Sequence, residues 1–293
     1  MRKILFVVLF LITGVIVNAQ LLWRVSGGNC FKSSYLFGTI HLESKNYIDS
    51  VPGLNDAIAS VDAIYGEIVK DDLRSSKAMS NVLKQSIAPA DSTIDKLLSA
   101  EDYALVDSVV REYMKGIIGL DRLKKYKPLI VIMQLEAMQL MKYIPDYKSL
   151  LSGLDLGIQA RGEALGKYVG GFETVEEQLA IAYGSSLEDQ AKTLVDMCRK
   201  DKDFAKNNET MYAVYHSQDL RALEQHLTNP DTGMSAEELE RMCYSRNRKW
   251  IEKIVSTMPV QSMLIVVGVG HLVGEDGLIN LLRSRGYVVE PVD

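Results

Sequence analysis

The sequence predicts a single α/β domain in which large helical insertions separate sheet-forming segments near the two ends. Three observations carry this. Short apolar runs rich in β-branched and aromatic residues cluster toward both ends, helical periodicity fills the middle, and βα alternation recurs between them. In order along the chain, Leu21 to Val25 and Ser34 to Gly38 form a hairpin linked by Ser26-Gly27-Gly28-Asn29. Pro52 opens a helix to about Ser60, with Leu54, Ile58 and Val61 on one face. The run from Val61 to Gly66 is the next strand. From Leu73 to Ile144 the pattern is helical, with Ser92 and Ser99 as N-caps and Pro128 starting a methionine-rich helix. That helix reads more readily as core than as a peptide groove. Gly153-Leu154-Asp155 opens a helix capped by Asp155 and ending near Gly166, and a strand from Lys167 to Phe172 follows. Residues 175 to 257 are helical and charged, broken at Asn229-Pro230-Asp231-Thr232-Gly233. The chain closes with a strand over Leu264 to Val267, a helix from about Gly274 to Arg285 with Gly286 as its C-cap, and a strand from Tyr287 to Pro291.

Two of these strands end alike. Tyr35-Leu36-Phe37-Gly38-Thr39-Ile40-His41-Leu42 and Leu264-Ile265-Val266-Val267-Gly268-Val269-Gly270-His271-Leu272 both run into G-x-x-H-L, 230 residues apart. Random placement of the glycines and histidines would give roughly 0.3 such G-x-x-H pairs, so the recurrence points to a shared site. Two further strands end in glycine and then a carboxylate: Gly66 before Glu67, and Gly171-Phe172 before Glu173. If the four strands are parallel neighbours, four metal-binding or proton-moving side chains gather at one edge. Two imidazoles with carboxylates suit a catalytic divalent metal. For each carboxylate alone the alternative is a helix-starting residue that complements the helix dipole. His216 and His226 share no such context and read as surface residues.

Arg2 and Lys3, the apolar stretch Ile4 to Val17 and the small-residue site Val17-Asn18-Ala19 read as a signal peptide over residues 1–19, leaving one domain over 20–293. The expectation is an exported protein, periplasmic or extracellular, with no stable membrane span after cleavage. Losing Arg2 and Lys3 takes the net charge from −5 to −7. With no basic run interleaved with aromatics, nucleic acid is not expected as a partner. In an oxidising compartment Cys198 and Cys243, on adjacent helical stretches, are the pair to be bridged if one forms, and the alternative is that Cys30, Cys198 and Cys243 are three unpaired thiols.

At these residues the chain resembles the TraB/PrgY/GumN family, which includes the TIKI metalloproteases and is marked by two distant G-x-x-H motifs with a glutamate between them. Gly38 to His41, Gly268 to His271 and Glu67 match that pattern. Ser34 to Leu42 looks like the opening strand. Leu154-Asp155 with Gly171-Phe-Glu-Thr-Val-Glu-Glu-Gln178 is similar to the middle signature, with Phe172 where Leu is usual. Arg246-Asn247-x-x-Trp250 looks like the element before the last motif. The resemblance covers nearly the whole chain after residue 19. It implies a central mixed sheet wrapped by helices and a metal-dependent peptidase acting on an exported peptide or protein. Its clan also holds a haem-binding protein.

The site expectation follows. His41 and His271 are metal ligands for Mn, Co or Zn. Glu67 is general base or third ligand, and Glu173 is a further ligand or a partner to a histidine. Arg246 and Asn247 steady an oxyanion or a substrate carboxylate, although Arg241, Arg246, Arg248 and Lys249 also read as a solvated charged face. The alternative is a non-catalytic protein that binds a peptide or haem in the same cleft.

Overall fold

The computed structural model describes residues 20–40, 43–73, 76–143, 153–231 and 233–292. His41 and the expected signal peptide lie outside the described residues. Six strands form one mixed sheet: β1 (Leu22–Gly27), β2 (Ser34–Thr39), β3 (Ala63–Gly66), β4 (Tyr168–Gly171), β5 (Met263–Gly268) and β6 (Tyr287–Pro291), in the order β4-β3-β5-β2-β1-β6. β4, β3, β5 and β2 run parallel, while β1 is antiparallel to both β2 and β6. The four strands that carry the expected site residues are therefore parallel neighbours. Thr39 stands opposite Gly268, and Gly66 opposite both Val266 and Gly171, so their C-terminal ends open at one rim.

The central strands are apolar because helices cover both faces. Leu264, Ile265, Val266 and Val267 of β5 are fully buried, and so are Leu36 and Phe37 of β2. The covering helices include α1 (Leu54–Ser60), α2 (Leu154–Ala164), α3 (Ser245–Thr257) and α4 (Leu278–Ser284). Crossover helices between parallel strands give the sheet its α/β character. A second apolar cluster lies in the helical insertion, built from Ile94, Val106, Val110, Leu120, Val131, Leu135 and Leu194 among others. Among the described residues, no helix is long and apolar enough to cross a membrane.

Several local expectations need correction. α2 is capped by Gly153, and Asp155 sits in its first turn, where it accepts the Thr39 hydroxyl at 2.6 Å. The turn at Ile94–Leu97 starts after Thr93 rather than Ser92, whereas Ser99 does cap Ala100–Tyr113. The helix after the second motif begins at Leu278, because Gly274 (φ +82°) and Gly277 belong to the preceding loop. All three cysteines are unpaired: Cys198 is packed in the insertion's apolar cluster and Cys243 under Gly270. Burial pushes both thiols up to about 12, with Asp201 adding to the effect at Cys198.

Candidate metal and carboxylate site

Glu67 is one residue beyond β3 and Glu173 two beyond β4. Both are almost completely enclosed, with side chains 6 % exposed. Their partner is Arg246 on α3, itself 4 % exposed. Its Nε donates to Glu173 Oε1 and Oε2 at 2.9 and 3.1 Å, and its Nη2 donates to Glu173 Oε2 at 2.8 Å and to Glu67 Oε2 at 2.5 Å. Burial opposes the guanidinium charge, but hydrogen bonding to Glu173 and the charge of Glu67 outweigh it and raise its pKa above the ordinary value. The two carboxylates and one guanidinium leave the cluster one charge negative.

A local feature of the chain delivers Arg246. The helix through Glu240–Tyr244 widens, so that the Ser245 N–H bonds back to Glu240 O. Such widened turns occur mostly where a helix serves a site. Here Arg246 Nη1 folds back onto Met242 O at 2.7 Å. The indole of Trp250, one turn along, packs 4.8 Å from the guanidinium and 4.5 Å from the His271 ring, and its Nε1 donates to Glu173 Oε1 at 3.1 Å. Phe172 stacks on the same indole at 5.3 Å.

His271 follows β5 in a tight turn and is 2 % exposed. Its tautomer follows from Asn247. The amide Nδ2 donates to His271 O at 3.0 Å and to Asp276 O at 2.8 Å, so Oδ1 is the acceptor that faces His271 Nδ1 at 2.7 Å. The ring proton therefore sits on Nδ1, and the lone pair of the neutral ring is on Nε2. Arg246 Nη1, which can only donate, lies 3.1 Å from that Nε2. Glu67 Oε1 lies 3.6 Å from it and accepts from Gly268 N at 2.9 Å, while Oε2 also accepts from Gln178 Nε2 at 3.0 Å.

Two acceptors, an imidazole nitrogen and a carboxylate oxygen, thus face each other at 3.6 Å. That is the separation expected of two donors to one ion with bonds of about 2 Å, and the donor types suit a first-row divalent metal. Among the described residues, no group of three or more His, Cys, Asp or Glu side chains is arranged to hold a metal. The third expected ligand, His41, is outside them.

The model of the TraB/PrgY/gumN family matches residues 21–291. The chain belongs to the TraB/PrgY/gumN family. Metalloprotease TIKI2 of Danio rerio is 23 % identical over 322 aligned positions, which cover 92 % of this chain. The chain spans about 60 % of the length of that relative. No solved structure matches the chain.

In this family member the structure joins five of the six residues singled out in the sequence: Glu67, Glu173, Arg246, Asn247 and His271. Asn247, 0 % exposed, spends its amide on His271 and Asp276 and so orients the imidazole. Glu173 spends both oxygens on Arg246 and Trp250.

His216 is exposed, as expected, with its side chain 46 % accessible, but it is not without partners. Its Nε2 lies 2.6 Å from Glu43 Oε2, its ring stacks 4.8 Å from Tyr47, and Glu43 is 6 % exposed. The neighbouring Tyr215 hydroxyl donates to Gly38 O at 2.9 Å, which ties this helix to the end of β2. Glu43 falls two residues past the first motif, and that position was the available signal.

Proposed function

We propose that this TraB/PrgY/gumN protein is a metal-dependent hydrolase, a peptidase acting on an exported peptide or protein in the periplasm or outside the cell. The observation that carries the reading is the facing pair His271 Nε2 and Glu67 Oε1, two acceptors 3.6 Å apart on a cluster one charge negative. Resemblance to a relative named a metalloprotease supports the reaction class. His41, His271 and Glu67 are the residues that would hold a divalent ion such as Mn, Co or Zn, which when bound supplies Lewis acidity toward a peptide carbonyl. Asn247 keeps the His271 lone pair on Nε2. Glu67 serves as a ligand or takes the proton of the attacking water. Arg246 holds Glu67 and Glu173 in place and brings positive charge to the rim where negative charge develops. Glu173 fixes Arg246.

A second reading is a cleft that binds a peptide or haem without turnover. It draws on Arg246 Nη1, which already engages the Nε2 lone pair. Metal analysis and peptide-library hydrolysis of purified parent, His41→Ala and Glu67→Gln proteins separate the two. Hydrolysis requires turnover that chelators abolish and a divalent ion restores, lost with the metal in His41→Ala and lost in Glu67→Gln with some metal kept. Full turnover in metal-free protein sinks the metal mechanism, and stoichiometric metal with no turnover favours the binding reading.

A further inference from the structure

The helical insertion holds a cavity of about 490 Å³, away from the metal and carboxylate site. Its wall is largely apolar and adaptable, formed by Met197, Phe204, Met211 and Met234, and its volume falls in the range of small-molecule sites. Lys200, Asn207, Asn208 and His226 also line it, and two acceptors stand out because no hydrogen bond reaches them among the described residues. They come from one face of the helix Pro128–Tyr143, where Glu136 and Gln139 stand three residues apart.

Gln139 is 1 % exposed, and its Oε1 accepts no hydrogen bond among the described residues. The amide cannot be turned to relieve this. Its Nε2 donates to Asp201 Oδ1 at 2.7 Å, and that oxygen also accepts the Tyr113 hydroxyl at 2.7 Å. Reversing the amide would set two acceptors against each other. A buried acceptor without a donor is costly and calls for a partner. Glu136 stands at the open side of the cavity, reachable by solvent, yet crowded enough that burial raises its pKa. No hydrogen bond or ion pair engages it among the described residues. Lys200 of the lining does not answer it, since its Nζ points to Asp231 O at 3.3 Å.

We propose that this cavity binds a primary ammonium group carried on an apolar body. The head group brings several N–H donors to an unpaired carboxylate and an unpaired amide oxygen. The apolar body replaces water along the methionine and phenylalanine wall. Gln139 Oε1 is closed to solvent in this conformation, so a donor reaches it only if the lining shifts, and the unbranched side chains of Met197, Met211 and Met234 are the flexible part of that lining. The proposal is independent of the metal reading, because none of its residues belongs to that site.

The test is calorimetric titration of the full chain with n-hexylammonium chloride, with 1-hexanol and sodium hexanoate as parallel probes. Saturable binding of n-hexylammonium is expected, with 1-hexanol at least about tenfold weaker and hexanoate not bound. Glu136→Gln, at the solvent-facing side and nearly isosteric, should weaken n-hexylammonium at least about tenfold while leaving the circular dichroism spectrum unchanged. Gln139→Met, which keeps the volume and removes the acceptor, should weaken it further. If that variant does not fold, Glu136→Gln alone decides. Equal affinity for 1-hexanol and n-hexylammonium, undiminished binding to Glu136→Gln, or no saturable binding at millimolar probe overturns the proposal.

Discussion

Arg246→Met is the sharpest perturbation of the buried cluster. It removes one cation and leaves Glu67 and Glu173, each 6 % exposed, facing each other. Four guanidinium contacts to carboxylate oxygens are lost, three to Glu173 and one to Glu67, along with the bond to Met242 O. Methionine restores part of the packing on Trp250 and none of the charge. Removing one partner of a buried ion pair costs about 3–5 kcal/mol. Whole domains are stable by about 5–15 kcal/mol, so this loss is a large share. At about 2–4 °C per kcal/mol, the melting temperature at neutral pH should fall by roughly 6–20 °C. Arg246→Lys keeps the charge but not the planar fork, and should fall in between. The control is a double-mutant cycle with Glu173→Gln. The pair should be less destabilised than the sum of the single variants, because removing the second charge relieves the first loss. Calorimetric melting reads all four proteins. A fall below about 4 °C for Arg246→Met, or strict additivity in the cycle, would refute the view that Arg246 holds these two buried carboxylates together.

Three further outcomes follow from single positions. Asn247→Ala should weaken metal binding about 10–100-fold by freeing the His271 ring, and should destabilise the fold by orphaning His271 O and Asp276 O; metal titration and melting check the two effects, and unchanged metal affinity would deny Asn247 its orienting role. The Asp62 carboxyl, held at about 2 by hydrogen bonds from Lys32 and then Ser262, has a depressed folded-state value. Its stabilisation is therefore present above about pH 4 and lost as the pH falls toward about 2, and solvent screening of this half-exposed group limits it to about 1 kcal/mol. Asp62→Asn should flatten the urea-unfolding stability profile across that window, and coincident acid limbs would count against the assignment. Gly38→Ala would bring a Cβ to 2.8 Å from Leu272 Cδ1 and 3.2 Å from Val269 Cα, at a cost of about 1–3 kcal/mol and with loss of metal affinity through the His271 turn; normal metal binding would show that the turn does not depend on this contact.

Much of the sheet was legible because its signals are local. Apolar runs marked β2, β3, β4 and β5, and a glutamate or histidine one to three residues after a glycine marked the rim. What escaped depends on contacts between distant segments. Asp155 looks like an N-cap from its neighbours, but the Thr39 hydroxyl, 116 positions away, claims its carboxylate. Cys198 and Cys243 look paired along the chain, but one packs in the insertion's cluster and the other beneath the second motif. Arg246 sits among basic residues that read as a solvated face. Arg248 fits that reading, about half exposed, whereas Arg246 turns inward because the widened turn before it rotates the helix and two carboxylates await it. His216 gave no local sign, since Glu43 reaches it from the other side of the molecule's sequence, 173 positions away.

The recurrence of G-x-x-H has a structural cause beyond supplying two histidines. The glycines of the two motifs do different work. Gly38 has no room for a side chain because Val269 and Leu272, which bracket the second histidine, pack directly on it. Gly268 has ordinary space, and its backbone N–H instead donates to Glu67 Oε1. The first motif is thus the floor on which the second folds, and the second supplies the donor that aims the glutamate. Thr39 and Gly268 stand opposite each other in parallel register, which fixes the offset between the motifs. The two ends of the chain therefore build one rim, and a change in either motif is felt at Glu67.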